Sequence, residues 1–332
     1  MTHALVTGGA GFIGSHLCEA LLARGGTVTA IDDESTGNRQ NLAHILDHEN
    51  FRFVSGTVAD RELVKSLLVQ ADEVYHLAAA VGVALIQEEP IQTIERNIYP
   101  TELLLAEIAA LRESGHDLKM FLASTSEVYG KNPKATWTEE DDLVFGSTTR
   151  PRWSYGASKA IDEFLALAYW QQRKTPTVIG RFFNVVGPRQ TGAYGMVLPR
   201  FVEAALCGKG PTVHSDGKQI RCFAHVHDVV KAVIQLTETP AAAGQVFNIG
   251  SDRPVTILEL AQMVIGAVDP SLSPSFQSYE EAFSSTFEDV IRRVPDLTKL
   301  RSTIEYRPQF DLEAIIQDVI VSKKAELAAR DS

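Results

Sequence analysis

The sequence predicts an α/β protein, a doubly wound parallel sheet followed by a smaller C-terminal α/β part. Three observations carry this expectation. Short β-branched runs alternate with longer stretches whose apolar residues recur every three or four positions. The first run leads straight into a glycine-rich turn, Thr7-Gly-Gly-Ala-Gly-Phe-Ile-Gly14. After Arg181 the texture changes to a loop-rich stretch punctuated by Gly187, Pro188, Gly192 and Gly195.

The elements follow in order. Strands are predicted at Ala4–Thr7, Thr27–Ile31, Phe51–Ser55, Glu73–Leu77, Met120–Ala123 and Thr177–Arg181. Helical spacing is predicted at Phe12–Leu22, Ile91–Leu111 and Ser158–Trp170. Consecutive parallel strands need right-handed crossovers, and a doubly wound sheet supplies them. Beyond Arg181, helices are expected at Leu198–Cys207, Val226–Leu236 and Leu312–Leu327, with Val246–Ile249 returning to the sheet. Ser271–Asp289 lacks periodicity and reads as an irregular loop, over a ligand or on the surface.

Composition narrows the partners. The chain has 332 residues, 45% hydrophobic and 22% charged, with a net charge of −11. That is globular composition with enough apolar surface to offset chain entropy. The acidic balance repels phosphate backbones, so no nucleic-acid partner is expected. No stretch approaches the roughly 20 apolar residues of a bilayer span, so no membrane partner is expected. Cys18, Cys207 and Cys222 are odd in number and far apart. They read as small buried apolar residues, with neither a disulfide framework nor a zinc site. The N-terminus reads as a strand entering a turn, not as a signal peptide, and a reducing cytoplasm is the expected location.

The glycine turn is the strongest local signal. Gly8 permits a tight exit from the strand, Gly11 lets backbone approach a pyrophosphate, and Gly14 allows close helix packing. The amides of Phe12 and Ile13 and the helix dipole would hold phosphates. Asp32 ends the second strand, where a carboxylate accepts from an adenosine ribose and repels a 2′-phosphate. This Rossmann pattern favours NAD over NADP. Asp33 is expected to point the other way. Asp60 suits either the adenine edge or the N-cap of the helix after it.

Tyr155 and Lys159 share a helix face one turn apart. An ammonium beside the phenol would lower it from about 10 towards neutrality and make it a general base. Ser124-Thr-Ser-Glu-Val-Tyr-Gly130 leaves a strand at its carboxyl end, where ligands bind in open α/β sheets. Thr125 or Ser126 could hydrogen-bond a reacting hydroxyl there, whereas Ser124 reads as turn chemistry. Glu139–Asp142 reads as a solvated acidic face. His225 and His227 alternate around Val226 and read as a strand-end and helix-start pair. No metal is expected.

Thr7–His16, Asp32, His76-Leu-Ala-Ala79, Ser124–Gly130, Tyr155…Lys159 and Arg181-Phe-Phe-Asn-Val-Val-Gly-Pro188 together resemble the extended short-chain dehydrogenase/reductase family of nucleotide-sugar enzymes. The resemblance spans Ala4 to about Tyr306. It implies NAD as cofactor, with Ala78 on the cofactor wall and Lys159 also binding the cofactor. It implies a cofactor domain, 1–182 with 222–250, and a nucleotide-sugar domain, 183–221 with 251–330. It also implies a homodimer through Ile91–Leu111 and Ser158–Trp170. The family oxidises a sugar carbon, usually C4. Members then epimerise, dehydrate or decarboxylate.

Three features resemble the UDP-glucuronate decarboxylases: Thr125-Ser126-Glu127, Arg150-Pro-Arg152-Trp153-Ser-Tyr155 and Phe287-Glu-Asp-Val-Ile-Arg292-Arg293. The resemblance implies that Glu127 and Arg293 position a sugar carboxylate and manage the proton at C5. Arg292 competes for that role or contacts a diphosphate. Arg189 and Arg221 are further diphosphate candidates, and Asn184 matches a substrate-contacting asparagine or caps a turn. One departure is Val81–Ile86, apolar where those decarboxylases carry a Thr/Ser-Pro run ending in tyrosine. It also lacks the cysteine of the apiose synthases, so ring contraction is not expected. The expected reaction is conversion of UDP-glucuronate to UDP-xylose or its 4-keto form. The alternatives are a UDP-sugar 4-epimerase, a 4,6-dehydratase, and an NAD-sensing module that has kept the fold without catalysis.

Overall fold

The computed structural model describes residues 1–80, 89–192, 196–282 and 288–330. The loop Val81–Ile86, Gly195 and residues 283–287 of the Ser271–Asp289 segment lie outside the described residues. The centre is a seven-stranded parallel sheet. Its strands are β1 (His3–Thr7), β2 (Thr27–Asp32), β3 (Phe51–Ser55), β4 (Glu73–His76), β5 (Lys119–Thr125), β6 (Thr177–Phe182) and β7 (Val246–Ile249). The spatial order is β7-β6-β5-β4-β1-β2-β3, so the winding reverses between β1 and β4. Thr7 stands level with Ile31 on one side and His76 on the other.

The helices are α1 (Phe12–Ala23), α2 (Arg61–Leu68), α3 (Pro90–Glu113), α4 (Ser154–Arg173), α5 (Val197–Leu206), α6 (Val226–Glu238), α7 (Ile257–Val268) and α8 (Leu312–Arg330). One face of the sheet packs on α1 and α6 through Leu17, Leu21, Val229 and Val233. The other packs on α2, α3 and α4 through Val64, Leu104, Ile108 and Ala166. With both faces covered, the strands are continuously apolar rather than alternating. A separate core joins α5, α7 and α8 through Val202, Val264 and Val319.

Most boundaries fall within two residues of expectation, and four readings need correction. Helix α4 begins at Ser154 rather than Ser158, because Gly156 lets its first turn press against the Glu127 carbonyl. A Cβ at Gly156 would lie 2.6 Å from that oxygen. Ser271–Asp289 is not wholly irregular. Ser275–Gln277 pairs with Thr212–His214, and Tyr279–Ala282 forms a helical turn. Cys207 is exposed, whereas Cys18 and Cys222 are buried. In the acidic run, Glu139 accepts from the Asn248 amide and buried Asp141 caps Thr138, so only part of it is solvated.

Candidate active site

A cavity of about 1830 Å³ runs across the carboxyl ends of β1 to β6, lined in turn by Gly8, Asp32, Gly56, Ala78, Thr125 and Asn184. This is the edge, and the switch point, where open α/β sheets bind ligands. Gly8 has φ +69, and a Cβ there would sit 2.8 Å from the Ala78 amide. A Cβ on Gly14 would lie 2.1 Å from the Gly8 carbonyl oxygen. The turn therefore closes only with glycine at both positions. Gly11 is the N-cap of α1 and supplies no side-chain cap. The first amides of the helix, those of Phe12, Ile13 and Gly14, lack intrahelical partners and stand at its positive end. All these residues line the cavity. The donor set fits a dinucleotide diphosphate.

Asp32 is held where β2 ends. Its Oδ2 accepts from the Ala10 amide at 2.9 Å and its Oδ1 from the Glu34 amide at 2.8 Å. Burial raises its carboxyl and the two amide bonds oppose that rise. Asp33 is exposed, with Oδ1 accepting from Ser35. Asp60 is the N-cap of α2, accepting from the Leu63 amide, and the cavity wall there is Gly56–Ala59 instead. Of its two readings, the cap is the one that forms.

At the floor, Thr125 ends β5 and its hydroxyl accepts from the Glu127 amide at 3.2 Å. Ser126 is buried and lines the cavity beside it. Ser124 turns the other way and donates to Glu163, itself paired with Arg181. Tyr155 lines the cavity from the first turn of α4. Its phenol departs from expectation. Burial and the Glu127 charge raise it, and the Thr125 hydroxyl only partly opposes them. The Lys159 Nζ donates to Asp162 Oδ2 at 2.7 Å in the interior, and Lys159 is not part of the cavity wall.

The substrate end holds a cluster that local sequence reading does not assemble. Glu127 is bound by Arg152 at Oε2 and by Arg293 at Oε1. All three line the cavity, and they come from the turn after β5, the approach to α4 and the C-terminal segment. Burial alone would raise the Glu127 carboxyl, but the Arg293 and Arg152 charges overturn that and hold it at about 2. An ionised Glu127 can accept a proton but carries none to donate at neutral pH. One carboxylate between two guanidiniums leaves the cluster with one uncompensated positive charge. The Nε–H groups of Arg152 and Arg293 are buried and find no acceptor among the described residues. The Arg150–Tyr155 motif alone gives Arg152 no role. The signal that finds it is a cation three residues before Tyr155, just outside the helix.

Further along the cavity, Arg221 reaches both Asp289 oxygens, at 3.1 and 3.3 Å. Asp289 also accepts from the Tyr279 hydroxyl at 2.6 Å, and Gln219 donates to that hydroxyl at 2.6 Å. Asn184 lines the cavity with its side-chain amide donating to the Cys222 carbonyl, so it also ties down its turn. Arg189 lines the cavity and pairs with Glu19 of α1. Arg292 lies outside the cavity wall and donates to the Ala135 carbonyl. The adjacent arginine is the one that faces the site. His225 stacks on Phe310 at 3.8 Å and pairs with Asp318 of α8, a partner the sequence spacing did not reveal. Among the described residues no group of three or more His, Cys, Asp or Glu is placed to hold a metal. No described helix is long and apolar enough to cross a membrane.

Comparison with known proteins agrees with this geometry. The family model described as GDP-mannose 4,6 dehydratase matches residues 5–319. A UDP-N-acetyl-alpha-D-glucosaminuronate decarboxylase of Bacillus cytotoxicus is 38% identical over 317 residues, 95% of this chain and 96% of that protein. UDP-glucuronic acid decarboxylase 1 of Danio rerio is 32% identical, covering 97% of this chain and 73% of the relative. Among solved structures, UDP-glucuronic acid 4-epimerase from Bacillus cereus, in complex with UDP-glucuronic acid and NAD, superposes with a TM-score of 0.87. That pair is 28% identical, covering 98% of this chain and 100% of the other.

Proposed function

The chain belongs to the GDP-mannose 4,6-dehydratase family, within the extended short-chain dehydrogenases/reductases, and from that premise we propose that it is an NAD-dependent decarboxylase of a UDP-linked uronic acid. UDP-glucuronate is the leading substrate, giving UDP-xylose or its 4-keto form. The Glu127–Arg152–Arg293 cluster carries the reading, because its surplus positive charge matches one further carboxylate. Guanidiniums bind carboxylates through paired hydrogen bonds, and a neutral hexose would leave that charge without a partner. The 38%-identical Bacillus relative favours a second substrate reading, the 2-acetamido uronate.

NAD fits the glycine turn and Asp32, and bound there it would take hydride from sugar C4 and return it. Tyr155, once its own proton has been given up, accepts that of the C4 hydroxyl, with Thr125 and Ser126 orienting that hydroxyl. A carbonyl at C4 stands β to the C6 carboxylate. The C5–C6 bond then breaks, its electron pair moves towards the C4 oxygen to give an enolate, CO2 leaves, and a proton from solvent at C5 restores the ketone at C4. Arg293 and Arg152 hold the carboxylate until that step, and Glu127 keeps both guanidiniums in place. Arg221 and Asn184 face the diphosphate, with Arg189 bordering the cofactor half. The cofactor is assigned to residues 1–182 with 222–250, and the sugar nucleotide to 183–221 with 251–330. Exposed Ile91 and Ile94 on α3, with Ile161 and Phe164 on α4, support a homodimer through these helices. Three unpaired thiols suit a reducing cytoplasm.

The test is mass spectrometry of UDP-glucuronate, and separately of its 2-acetamido analogue, incubated with the protein and NAD. A product lighter by CO2 is expected. An isomer of unchanged mass would replace this reading with 4-epimerisation, and loss of water from a neutral hexose would replace it with dehydration.

A further inference from the structure

The motif that leads into α4, Arg150-Pro-Arg152-Trp153-Ser-Tyr155, contains one large side chain to which the reaction above gives no part. Trp153 is the N-cap residue of α4 and makes no side-chain cap there. That position favours Ser, Thr, Asp or Asn, whose oxygens accept from the first helical amides, and an indole has no such oxygen. The start of the helix therefore does not explain the tryptophan, and its contacts do. The indole is buried in a cluster with Val128, Tyr129 and Val290. The Arg152 guanidinium lies over its ring, 5.5 Å from the centroid, and the Lys131 ammonium lies over the ring at 5.6 Å. The Trp153 Nε1–H donates to Glu288 Oε2 at 3.0 Å, and Lys131 Nζ donates to the same oxygen at 3.2 Å. Gly146 closes the seat. A Cβ there would lie 2.1 Å from the indole nitrogen and 2.9 Å from Glu288 Oε2, so any side chain at 146 would drive the two apart. Trp153, Glu288 and Lys131 are not part of the cavity wall, and they reach a ligand only through Arg152.

We propose that Trp153 is a positioning residue whose ring seats the Arg152 guanidinium and whose N–H, locked by Glu288, fixes that ring, so that Arg152 keeps its remaining donors for a sugar carboxylate. The proposal rests on the uronate reading above, in which Arg152 and Arg293 hold that carboxylate. Among the described residues the Arg152 guanidinium bonds Glu127 through Nη1, and its Nε finds no acceptor. A bond at one end leaves the rest of a long side chain free to turn, and fixing it costs rotamer entropy. An aromatic face restrains a guanidinium without using any of its in-plane N–H groups. The fork is thereby held while its donors stay available for paired bonds to a carboxylate. Lys131 and Glu288 are paired with each other, so the seat adds no net charge. The surplus positive charge of the Glu127 cluster therefore stays at the cavity wall.

The experiment measures equilibrium binding of UDP-glucuronate and of UDP-glucose, with NAD present, in a Tyr155→Phe background that stops turnover. The readout is the ratio of the two dissociation constants, because only the first ligand carries the carboxylate. Trp153→Leu removes the seat and should cut the preference for the uronate about tenfold, with UDP-glucose binding unchanged. Trp153→Phe keeps an aromatic face and should restore most of that preference. Glu288→Ala removes only the lock on the indole and should cut the preference about threefold. If the Leu chain fails to fold, Glu288→Ala carries the test. An unchanged preference in the folded variant overturns the proposal. So does an equal loss for both ligands, which is what loosened packing alone would give. Absence of any uronate preference before Trp153 or Glu288 is altered would instead overturn the uronate reading, so the two failures are separable.

Discussion

Two charged clusters flank Tyr155, and they are built on opposite principles. The outer one, Glu127 with Arg152 and Arg293, borders the cavity and holds two cations to one anion. The inner one, Lys159 with Asp162, is balanced one to one and sealed. A cluster left with surplus charge at a cavity wall lowers the free energy of a complementary ligand. A balanced, buried pair offers a ligand no surplus charge. The same residue types therefore stand at the cavity wall in one place and in the interior in the other, and the charge count and the access to the cavity distinguish them.

The largest expected effect breaks the outer cluster. Arg293→Met or Arg152→Met leaves Glu127 with a single guanidinium and the substrate carboxylate with half its site. Truncating one partner of a buried charge pair costs about 2–5 kcal/mol, so KM for the uronate should rise about 30-fold or more. NAD affinity, read by fluorescence quenching, should stay the same. A uronate KM that does not move would strip the cluster of its recognition role.

Acid sharpens the contrast. Glu127 falls from 4.5 to about 2 on folding, so its contribution is full above pH 4.5 and is lost as pH falls through 2. By linkage that contribution is on the order of 3 kcal/mol. His76 falls from 6.5 to about 3, and the unfolded chain binds its proton first. Its contribution is full above pH 6.5 and shrinks as pH drops towards 3, at up to about 1.4 kcal/mol per pH unit. Buried His16 acts in the same sense over the same interval. Urea midpoints taken from pH 7 to 4.5 should therefore fall before Glu127 titrates at all. A flat profile over that interval would mean that His76 and His16 are not held neutral by burial.

The smallest effect is a control outside both clusters. Asp60→Ala removes the cap of α2 and should cost about 1 kcal/mol of stability, with kcat and KM unchanged. A change in NAD affinity would return Asp60 to the adenine edge.

What was legible in the sequence follows the range of the interactions. The six anticipated first-half strands and the turn Gly8–Gly14 depend on neighbours within a few residues, and their periodicity and glycine spacing survive in the structure. Helix α7 was equally local and was missed. Its signal is the capping box Thr256…Glu259, which forms in full. The outer cluster was legible only in part. Glu127 and Arg293 came from resemblance, but the contacts of Glu127 with Arg152 and Arg293 span 25 and 166 residues. No local period encodes such a meeting. Helical spacing places Lys159 one turn from Tyr155 but shows neither the burial of the phenol nor the ion pair that Lys159 makes with Asp162.

The wide separation of Glu127 and Arg293 along the chain has a consequence for synthesis. The strands around the glycine turn, β1, β2 and β4, lie within the first 76 residues, although α1 also packs on α6. The outer cluster cannot close until Arg293 has emerged, 166 residues after Glu127. The end of the cavity that holds surplus positive charge is therefore completed only when a segment near the C-terminus docks against the turn after β5.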